Sequence, residues 1–386
     1  MLIAAFGRGV DERPCFNLRL VVPLASLLKL VSKQMITGLA SGELDSSCQE
    51  LSAADFWQAS RNALLLDVRS PGEYEQGHIP DAVNLPLFDN DERAEVGTIF
   101  KNSGRDDAVL RGLSIVGPKM AGLAKTARTM AVGKKDRIFI HCWRGGMRSR
   151  SMHWLLETAG LQAKILTGGY KAFRALARTS FSQKWPLKVV SGLTGAGKTR
   201  ILSLLAERGE HVIDLERLAN HRGSAFGAIG QNPPPTTEHF ENLLFGELDR
   251  NRNASRIWVE DEGNRIGTVV VPPTFVKQLK NSSAVFIDLK AEARVANLLE
   301  DYGDLSPSKL CESVQAIRKR LGFDLAKAAI EAIESGQIKS AIEIVLAYYD
   351  RTYLHAASKS PRPPMNQLKI DGLSDRQLVE QIIALA

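Results

Sequence analysis

Residues 137–149 read RIFIHCWRGGMRS, and this stretch indicates how the first half of the chain folds. The apolar run at its start predicts a buried strand, and the pattern over residues 150–159 predicts a helix behind it. A strand, a tight turn and a helix form the repeating unit of a parallel α/β sheet. The turn contains one cysteine, Cys142, together with two glycines and the arginines Arg144 and Arg148.

The composition of this turn predicts a cradle for an anion, with a nucleophile beside it. Gly145 and Gly146 allow backbone N–H groups to turn inward, and the helix that follows adds positive charge at its N-terminus. Arg144 and Arg148 add fixed positive charge, and all these features favour the thiolate of Cys142 over the thiol. A buried, inert cysteine would rarely have such neighbours. We therefore predict that Cys142 is a nucleophile for an anionic or sulfur-like substrate.

A second anion site is predicted farther along the chain. Residues 187–191 form an apolar run, and GLTGAGKT at 192–199 matches the phosphate-binding pattern GxxxxGK[ST]. The required context, a strand before the loop and a helix after it, is present. The predicted phosphate-binding residues are Gly192, Gly195, Gly197, Lys198 and Thr199.

Carboxylates end two of the predicted strands that follow this loop, at 211–216 and 256–262. In P-loop folds a carboxylate at the end of a neighbouring strand holds Mg²⁺, directly or through water. A solvated strand end is an equally good explanation for any one of them. The candidate magnesium ligands are Thr199, Asp214, Glu260, Asp261 and Glu262.

Strands alternating with helices over most of the chain predict an α/β fold with two parallel sheets. We expect a poorly ordered extension at residues 1–50, with Met35 as a plausible start, a first sheet domain at 51–182, a P-loop domain at 186–290, and a mainly helical region at 291–386. The apolar stretch at 20–28 is interrupted by Pro23 and Lys29, so it is a poor signal peptide.

Charge is concentrated around the cysteine loop. The 386-residue chain carries a net charge of +7, but residues 101–200 alone hold 20 Lys and Arg against 4 Asp and Glu. Such a concentration predicts a polyanionic partner, with nucleic acid ahead of a membrane surface. No apolar run approaches the roughly 20 residues of a membrane span. The four cysteines show no CxxC spacing, which fits a reducing cytoplasm better than a disulfide framework.

With both loops placed, the chain resembles the bacterial tRNA 2-selenouridine synthase family, in which a rhodanese-like parallel-sheet domain precedes a P-loop NTPase-like α/β domain with a helical C-terminal part. The resemblance extends from about Leu51 to near the C-terminus. Its motifs are Asp67–Tyr74 (DVRSPGEY), Asn84–Leu87 (NLPL), Asn90–Arg93 (NDER), Arg144–Gly146 (RGG), Gly168–Ala172 (GGYKA), the 192–199 loop, Asp214–Glu216 (DLE), His221–Gly227 (HRGSAFG) and Glu260–Glu262 (EDE).

The resemblance implies that the protein replaces sulfur by selenium at the wobble 2-thiouridine of tRNAs for lysine, glutamate and glutamine. Selenophosphate is the implied donor, supplied by a separate enzyme, and S-geranyl-2-thiouridine, made from geranyl diphosphate, is the implied intermediate. The family's essential cysteine falls on Cys142 and its Walker lysine on Lys198. We expect no tightly bound cofactor apart from a potential Mg²⁺, and a cytoplasmic monomer.

Four further residues are weaker candidates. Asp67 and Arg69 are predicted to orient the cysteine loop through hydrogen bonds, and His221 and Arg222 to contact phosphate or tRNA.

Two other functions remain open at this stage. The stretch from His141 to Ser149 also spells HCx5R[ST], the signature of cysteine-dependent phosphatases, so a phosphatase or a generic sulfurtransferase fused to a nucleotide-binding P-loop domain is the alternative. A non-catalytic RNA-binding or nucleotide-sensing module is the other.

Overall fold

The computed structural model describes residues 50–134, 137–359 and 366–385. The extension predicted for residues 1–50 therefore lies, except for its last residue, outside the described residues. Residues 50–386 cluster as one compact unit that contains two five-stranded sheets. The predicted α/β class with two parallel sheets is confirmed.

The first sheet is entirely parallel and has the order β1-β5-β4-β2-β3. Its strands are β1 (Glu50–Leu51), β2 (Leu64–Asp67), β3 (Val83–Asn84), β4 (Arg137–His141) and β5 (Gln162–Leu166). The helices of this part are α1 (Ala53–Ser60), α2 (Pro71–Gln76), α3 (Asn90–Asn102), α4 (Arg105–Val116), α5 (Met120–Ala131), α6 (Met147–Thr158) and α7 (Gly169–Ser180). Strand β4 is central, and the cysteine loop follows its carboxyl end, where ligands of open α/β sheets bind.

The second sheet is also parallel, with the order β12-β11-β6-β8-β7. Its strands are β6 (Leu187–Gly192), β7 (Val212–Ile213), β8 (Ile257–Glu260), β11 (Ala284–Asp288) and β12 (Asn366–Lys369), while β9 (Arg265–Ile266) and β10 (Val269–Val270) form a separate antiparallel pair. The helices are α8 (Lys198–Glu207), α9 (Leu215–Leu218), α10 (Thr237–Arg250) and α11 (Pro273–Asn281). The P-loop follows the carboxyl end of the central strand β6.

The C-terminal region is mainly helical, as the sequence predicts for 291–386. Four helices are present: α12 (Ala291–Tyr302), α13 (Pro307–Leu321), α14 (Phe323–Glu334) and α15 (Ile338–Lys359). The chain then returns to the sheet as β12, which pairs with β11, and ends in α16 (Asp375–Ala384). Leu368 and Leu378 lie in one apolar core with Ile201 of α8 and Val285 of β11. The segment 366–385 therefore contributes to the second sheet and its core.

Helix α10 joins the two sheets. Trp57 of α1 packs against Phe173 of α7 and Phe245 of α10, and its indole N–H donates to Asp249 Oδ2 at 2.6 Å. Asn242 donates to the Tyr170 hydroxyl at 2.8 Å. Apolar side chains from both sheets belong to the same buried cluster. Within the described ranges, none of the helices is long and apolar enough to cross a membrane.

Candidate functional site

Cys142 lies at the carboxyl end of β4, at the base of a turn that leads into helix α6. Its side chain is 3% exposed, and its Sγ lies 3.3 Å from the Ser149 hydroxyl. The Ser149 hydroxyl also lies 3.0 Å from the carbonyl of Gly146, and its single O–H can donate either to that carbonyl or to Sγ. A hydroxyl at this distance can stabilise a thiolate, which gives the predicted nucleophile a specific neighbour.

Glycines hold the cysteine loop against a second loop that follows β5. Gly145 has φ +67°, and a Cβ there would lie 2.7 Å from the carbonyl oxygen of Leu166. Gly169 has φ +60°, and its Cβ would lie 2.4 Å from the carbonyl oxygen of Cys142. The amide of Tyr170 then donates to the same Cys142 carbonyl at 2.8 Å. The two loops form one structure, and Gly169 is as necessary to it as Gly145.

The two arginines of the loop differ in their surroundings. Arg144 is exposed beside the loop. Arg148 instead donates to Glu73 of α2 at 2.6 Å. Burial opposes ionisation of Glu73, but the hydrogen bond and charge of Arg148 outweigh it and lower the pKa of this carboxyl. Arg148 thus ties the loop to α2 in this conformation, and Arg144 is the arginine with its charge turned to solvent.

Asp67 and Arg69 form a fully buried ion pair beneath the loop, with 2.6 Å between Arg69 Nη2 and Asp67 Oδ2. Although burial opposes it, the charges of His141 and Arg69 lower the pKa of Asp67. Burial lowers the pKa of His141 to about 4. The Arg69 guanidinium lies 3.9 Å from the centre of the Tyr170 ring, a cation–π contact. This pair therefore connects β2 to the glycine loop, and its predicted role in orienting the cysteine loop stays a prediction.

The P-loop has the geometry expected of a phosphate site. Gly195 and Gly197 both have φ +79°, and helix α8 begins at Lys198 directly after them. The Lys198 ammonium donates to the carbonyl of Gly192 at 3.3 Å, across the mouth of the loop. A helix N-terminus, turned glycines and a lysine together form an anion site.

The carboxylates near the P-loop are arranged differently from the prediction. The Thr199 hydroxyl donates to Glu216 at 3.1 Å, and the amide of Glu216 donates to Glu260 at 2.8 Å. Asp214 caps helix α9 by accepting from the amide of Arg217, and Asp261 accepts from Ser191 at 2.6 Å. Asp214 and Asp261 are thus engaged in structural contacts. In the described part of the chain, no three His, Cys, Asp or Glu side chains form a ready metal cluster.

Burial raises the pKa of three of these acids. The pKa of Glu262 is raised to about 8 by burial and by the nearby charge of Glu216. Burial, with the charge of Asp214, raises the pKa of Glu260 well above its ordinary value. The pKa of Glu216 is also raised by burial, against the opposing charge of Lys198. Three buried acids with raised pKa values therefore lie near the phosphate loop.

His221, which the sequence predicts to contact phosphate or tRNA, is buried in this conformation. Its ring is buried between Gly227 and Gly267, whose added Cβ atoms would lie 2.8 Å and 2.5 Å from it. Burial lowers its pKa. Arg222 is exposed, and its guanidinium lies 3.5 Å from Asp301 and 5.8 Å from the ring of Tyr302. Arg222 therefore keeps its place as a candidate for an anionic ligand.

Sequence reasoning passed over several residues that shape the two loops. Gly169 and Tyr170 belong to the GGYKA motif and Glu216 belongs to the DLE motif, but the sequence analysis assigned no role to these three residues. Arg294 and Asn297 of α12 hold the P-loop by donating to the carbonyls of Thr194 and Gly195 at 3.1 Å and 2.9 Å. Gly169, Tyr170 and Glu216 could have been found from their motifs. Arg294 and Asn297 lie in no motif, so the sequence offered no signal for them.

Comparison with known proteins covers both halves of the chain. The family model described as the tRNA 2-selenouridine synthase AAA domain matches residues 185–371, and the rhodanese-like domain model matches residues 52–176.

Curated relatives match across both domains. A protein of Bdellovibrio bacteriovorus named tRNA 2-selenouridine synthase is 43% identical, with 63% of this chain and 65% of that protein covered. Proteins of the same name from Nitrosomonas europaea and Nitrosomonas eutropha are 33% and 31% identical, and the matches cover 75% and 81% of this chain and 88% and 94% of theirs. The resemblance inferred from the motifs is confirmed. The chain belongs to the tRNA 2-selenouridine synthase family.

Proposed function

We propose that this protein replaces sulfur by selenium at the wobble 2-thiouridine of tRNAs for lysine, glutamate and glutamine, with selenophosphate as donor and an S-geranyl intermediate. Family membership supports the tRNA selenouridine modification. The observation that carries the two-step form is the presence of two anion-binding loops in one compact unit, each at the carboxyl end of a central strand. One anion site would serve one phosphorylated substrate, whereas this chain offers two.

The first step uses the P-loop. The thiouridine sulfur attacks the first carbon of geranyl diphosphate, so that a C–S bond forms, the C–O bond breaks, and diphosphate leaves with the electron pair. The N3 proton of the base is released to water. Lys198 and the N-terminus of α8 stabilise the charge that develops on the leaving diphosphate. The product carries its sulfur as a thioether, which departs as a neutral thiol in the next step.

The residues around the P-loop also fit a magnesium ion. Mg²⁺ usually keeps several waters and binds through one or two protein oxygens together with substrate phosphates. Thr199 and Glu216 present such a pair of oxygens, and Glu260 contributes a buried carboxylate oxygen that has no hydrogen-bond partner. These residues would hold the ion, and its charge would add to that of Lys198 in neutralising diphosphate.

The second step uses the cysteine loop. Transfer of selenium to Cys142 as a selanylsulfide would need an oxidant, because selenium in selenophosphate is already fully reduced. Attack of Cys142 on phosphorus needs none: an S–P bond forms, the P–Se bond breaks, and hydrogen selenide leaves with the electron pair. Hydrogen selenide then adds at C2 of the geranylated base and displaces geranyl thiol. Water hydrolyses the phosphocysteine, which restores the thiol.

The local geometry supports phosphoryl transfer to Cys142. Ser149 lies 3.3 Å from the sulfur, where its hydroxyl can stabilise the thiolate as it leaves phosphorus. Arg144 is exposed next to the loop, and Gly145 gives the loop its turn. The spacing of Cys142, Arg148 and Ser149, which matches the phosphatase signature, is explained by this shared chemistry.

The division between the two loops can be tested with purified protein, 2-thiouridine tRNA and pre-geranylated tRNA, using mass spectrometry of the nucleosides. Cys142→Ser is expected to abolish selenation of pre-geranylated tRNA and to leave geranylation unchanged. Lys198→Ala is expected to lower geranylation by at least about a hundredfold, because it removes the charge that stabilises the leaving group. Accurate mass of a trapped Cys142 adduct distinguishes a phosphoryl group from selenium by the selenium isotope pattern.

Two outcomes would contradict the assignment. Equal loss of both activities in a folded Cys142→Ser protein would refute the division of labour. If a Lys198→Ala protein geranylated tRNA normally but failed to selenate pre-geranylated tRNA, the assignment of geranyl diphosphate to the P-loop would be wrong. We also expect the protein to act as a monomer in the cytoplasm and to receive selenophosphate from a separate enzyme.

A further inference from the structure

An apolar pocket opens beside the P-loop, between it and the C-terminal helices. The pocket has a volume of about 520 Å³, part of it open to solvent. Thr194 of the P-loop and Ser224 of the 221–227 loop line it on one side, and the other lining residues are apolar or aromatic side chains, mostly from helices α12–α15. None of the fourteen described lining residues is charged.

The pocket is joined to the P-loop by direct contacts. Leu298 lines the pocket and would lie 3.0 Å from a Cβ added to Gly195. Arg294, one turn earlier on α12, donates to the Thr194 carbonyl and pairs with Asp350 of α15 at 2.7 Å. The Tyr349 hydroxyl accepts from the amide of Ala225 at 3.0 Å. A ligand head in the P-loop would therefore lie at the entrance to the pocket.

Helix α15 lines the pocket over about three turns. Ile338 and Tyr349 both line it, and eleven residues of helix separate them, a distance of about 16 Å at the usual rise. Between them lie the buried side chains Ala341 and Val345. An apolar wall of this length suits an extended hydrocarbon chain better than a flat heterocycle.

We propose that this pocket binds the branched hydrocarbon tail of an allylic prenyl diphosphate whose diphosphate occupies the P-loop. The inference rests on the proposed function and specifies how the first-step substrate is selected. A nucleotide base would leave ring nitrogens unpaired against these walls, because burying a polar group without a hydrogen bond is unfavourable. A hydrocarbon gains from the same walls through burial of apolar surface. Pocket length, set at Ala341 and Val345, then selects the length of the tail.

The test compares ligands that share a head and differ in their tails. Binding of inorganic diphosphate, dimethylallyl diphosphate, geranyl diphosphate and ADP to the full chain is measured by calorimetry. The unaltered protein is expected to bind geranyl diphosphate at least about tenfold more tightly than inorganic diphosphate, since even one methylene in an apolar pocket changes affinity by about that factor. ADP is expected to gain nothing over inorganic diphosphate.

Variants locate the tail. Ala341→Leu fills the pocket and is expected to remove the tenfold advantage of geranyl diphosphate while binding of inorganic diphosphate stays the same. Ala347→Leu makes the same change at an exposed position of α15 and serves as the matched control. Val345→Ala lengthens the pocket and should shift tRNA prenylation from geranyl towards farnesyl. Because it only removes atoms, it decides the question if Ala341→Leu does not fold.

Each failure has its own signature. The inference is overturned if geranyl diphosphate binds no more tightly than inorganic diphosphate, or if Ala341→Leu and Val345→Ala keep the tail preference of the unaltered protein. If the unaltered protein geranylates tRNA in that case, the proposed function stands without the pocket. If no protein geranylates tRNA but Ala341→Leu still abolishes tail-dependent binding, the pocket stands and the proposed function is wrong.

Discussion

At the residue scale, the cysteine loop depends on glycines that make room for neighbouring backbone. Gly169 has φ +60°, and its missing side chain lets the loop after β5 lie against the carbonyl of Cys142. Neither Cys142 nor Arg144 could occupy its position if that loop moved away. The position of Cys142 thus depends on Gly169, a residue without a reactive side chain.

Replacing Gly169 by Ala is expected to destabilise the protein by about 2 kcal/mol or more, because the new Cβ would lie 2.4 Å from a backbone oxygen at a strained φ. Selenation should fall further than stability alone explains. Urea denaturation and the tRNA assay together measure both effects. Gly122→Ala is the matched control, since nothing lies within 4 Å of its added Cβ and alanine favours helix α5. Equal stability of the two variants would contradict the prediction.

The sequence predicts the residues of the two loops well, but it does not predict the partners of their side chains. Cys142, Lys198 and the loop glycines follow from local spacing, since a strand, a turn and a helix place them without knowledge of distant residues. The partner of Arg148 is Glu73, 75 positions away, and His221 is enclosed by Gly267. Such contacts depend on how separate elements pack. Residue type alone therefore predicted ligand contacts for Arg148 and His221, whereas the fold pairs the first with a carboxylate and buries the second.

At the element scale, helix α10 is the part that makes two α/β sheets into one unit. Its buried Asp249 accepts from the Trp57 indole N–H and pairs with Arg61 and Arg252. Near its other end, Glu238 accepts from the Tyr170 hydroxyl at 2.8 Å. Tyr170 in turn holds the cysteine loop through its amide. One helix therefore connects the P-loop sheet with the loop of Cys142.

Asp249→Ala is expected to lower the free energy of unfolding by about 1–3 kcal/mol, because it leaves the buried Trp57 N–H without its acceptor. Glu247→Ala on the same helix is the control. Its partners Arg217 and Arg250 are exposed, so its loss should cost about 1 kcal/mol or less. Chemical denaturation followed by tryptophan fluorescence measures both. A similar loss of unfolding free energy in the two variants would show that the contacts of Asp249 contribute no more to stability than those of Glu247.

At the scale of the whole molecule, the chain returns to its second sheet only at its end. Strand β12 pairs with β11 after four helices, and helix α16 covers the same face as α8. Leu378 of α16 is 6% exposed and packs in the core that includes Ile201 and Leu202 beside the P-loop. The P-loop sheet is therefore complete only when residues near 380 have folded.

Leu378→Ala is expected to destabilise the protein by about 2–4 kcal/mol through loss of buried contacts and creation of a cavity. Glu380→Ala, an exposed change two residues away, should leave the stability nearly unchanged. Diphosphate binding at a denaturant concentration just below the unfolding midpoint should fall with Leu378→Ala alone. If that variant were as stable as the control, the C-terminal segment would not be part of the P-loop core.

The sequence by itself determined the α/β class, the two loops with the cysteine and the lysine they carry, and the family. These features depend on residues adjacent in the chain, whose periodicity and turn chemistry act locally. Only the tertiary structure decided that Arg148 pairs with Glu73, that α10 joins the sheets, that residues 366–369 complete the second sheet, and that α15 forms an apolar pocket at the P-loop. Those features arise from packing between distant segments, and no local pattern specifies which distant surfaces will meet.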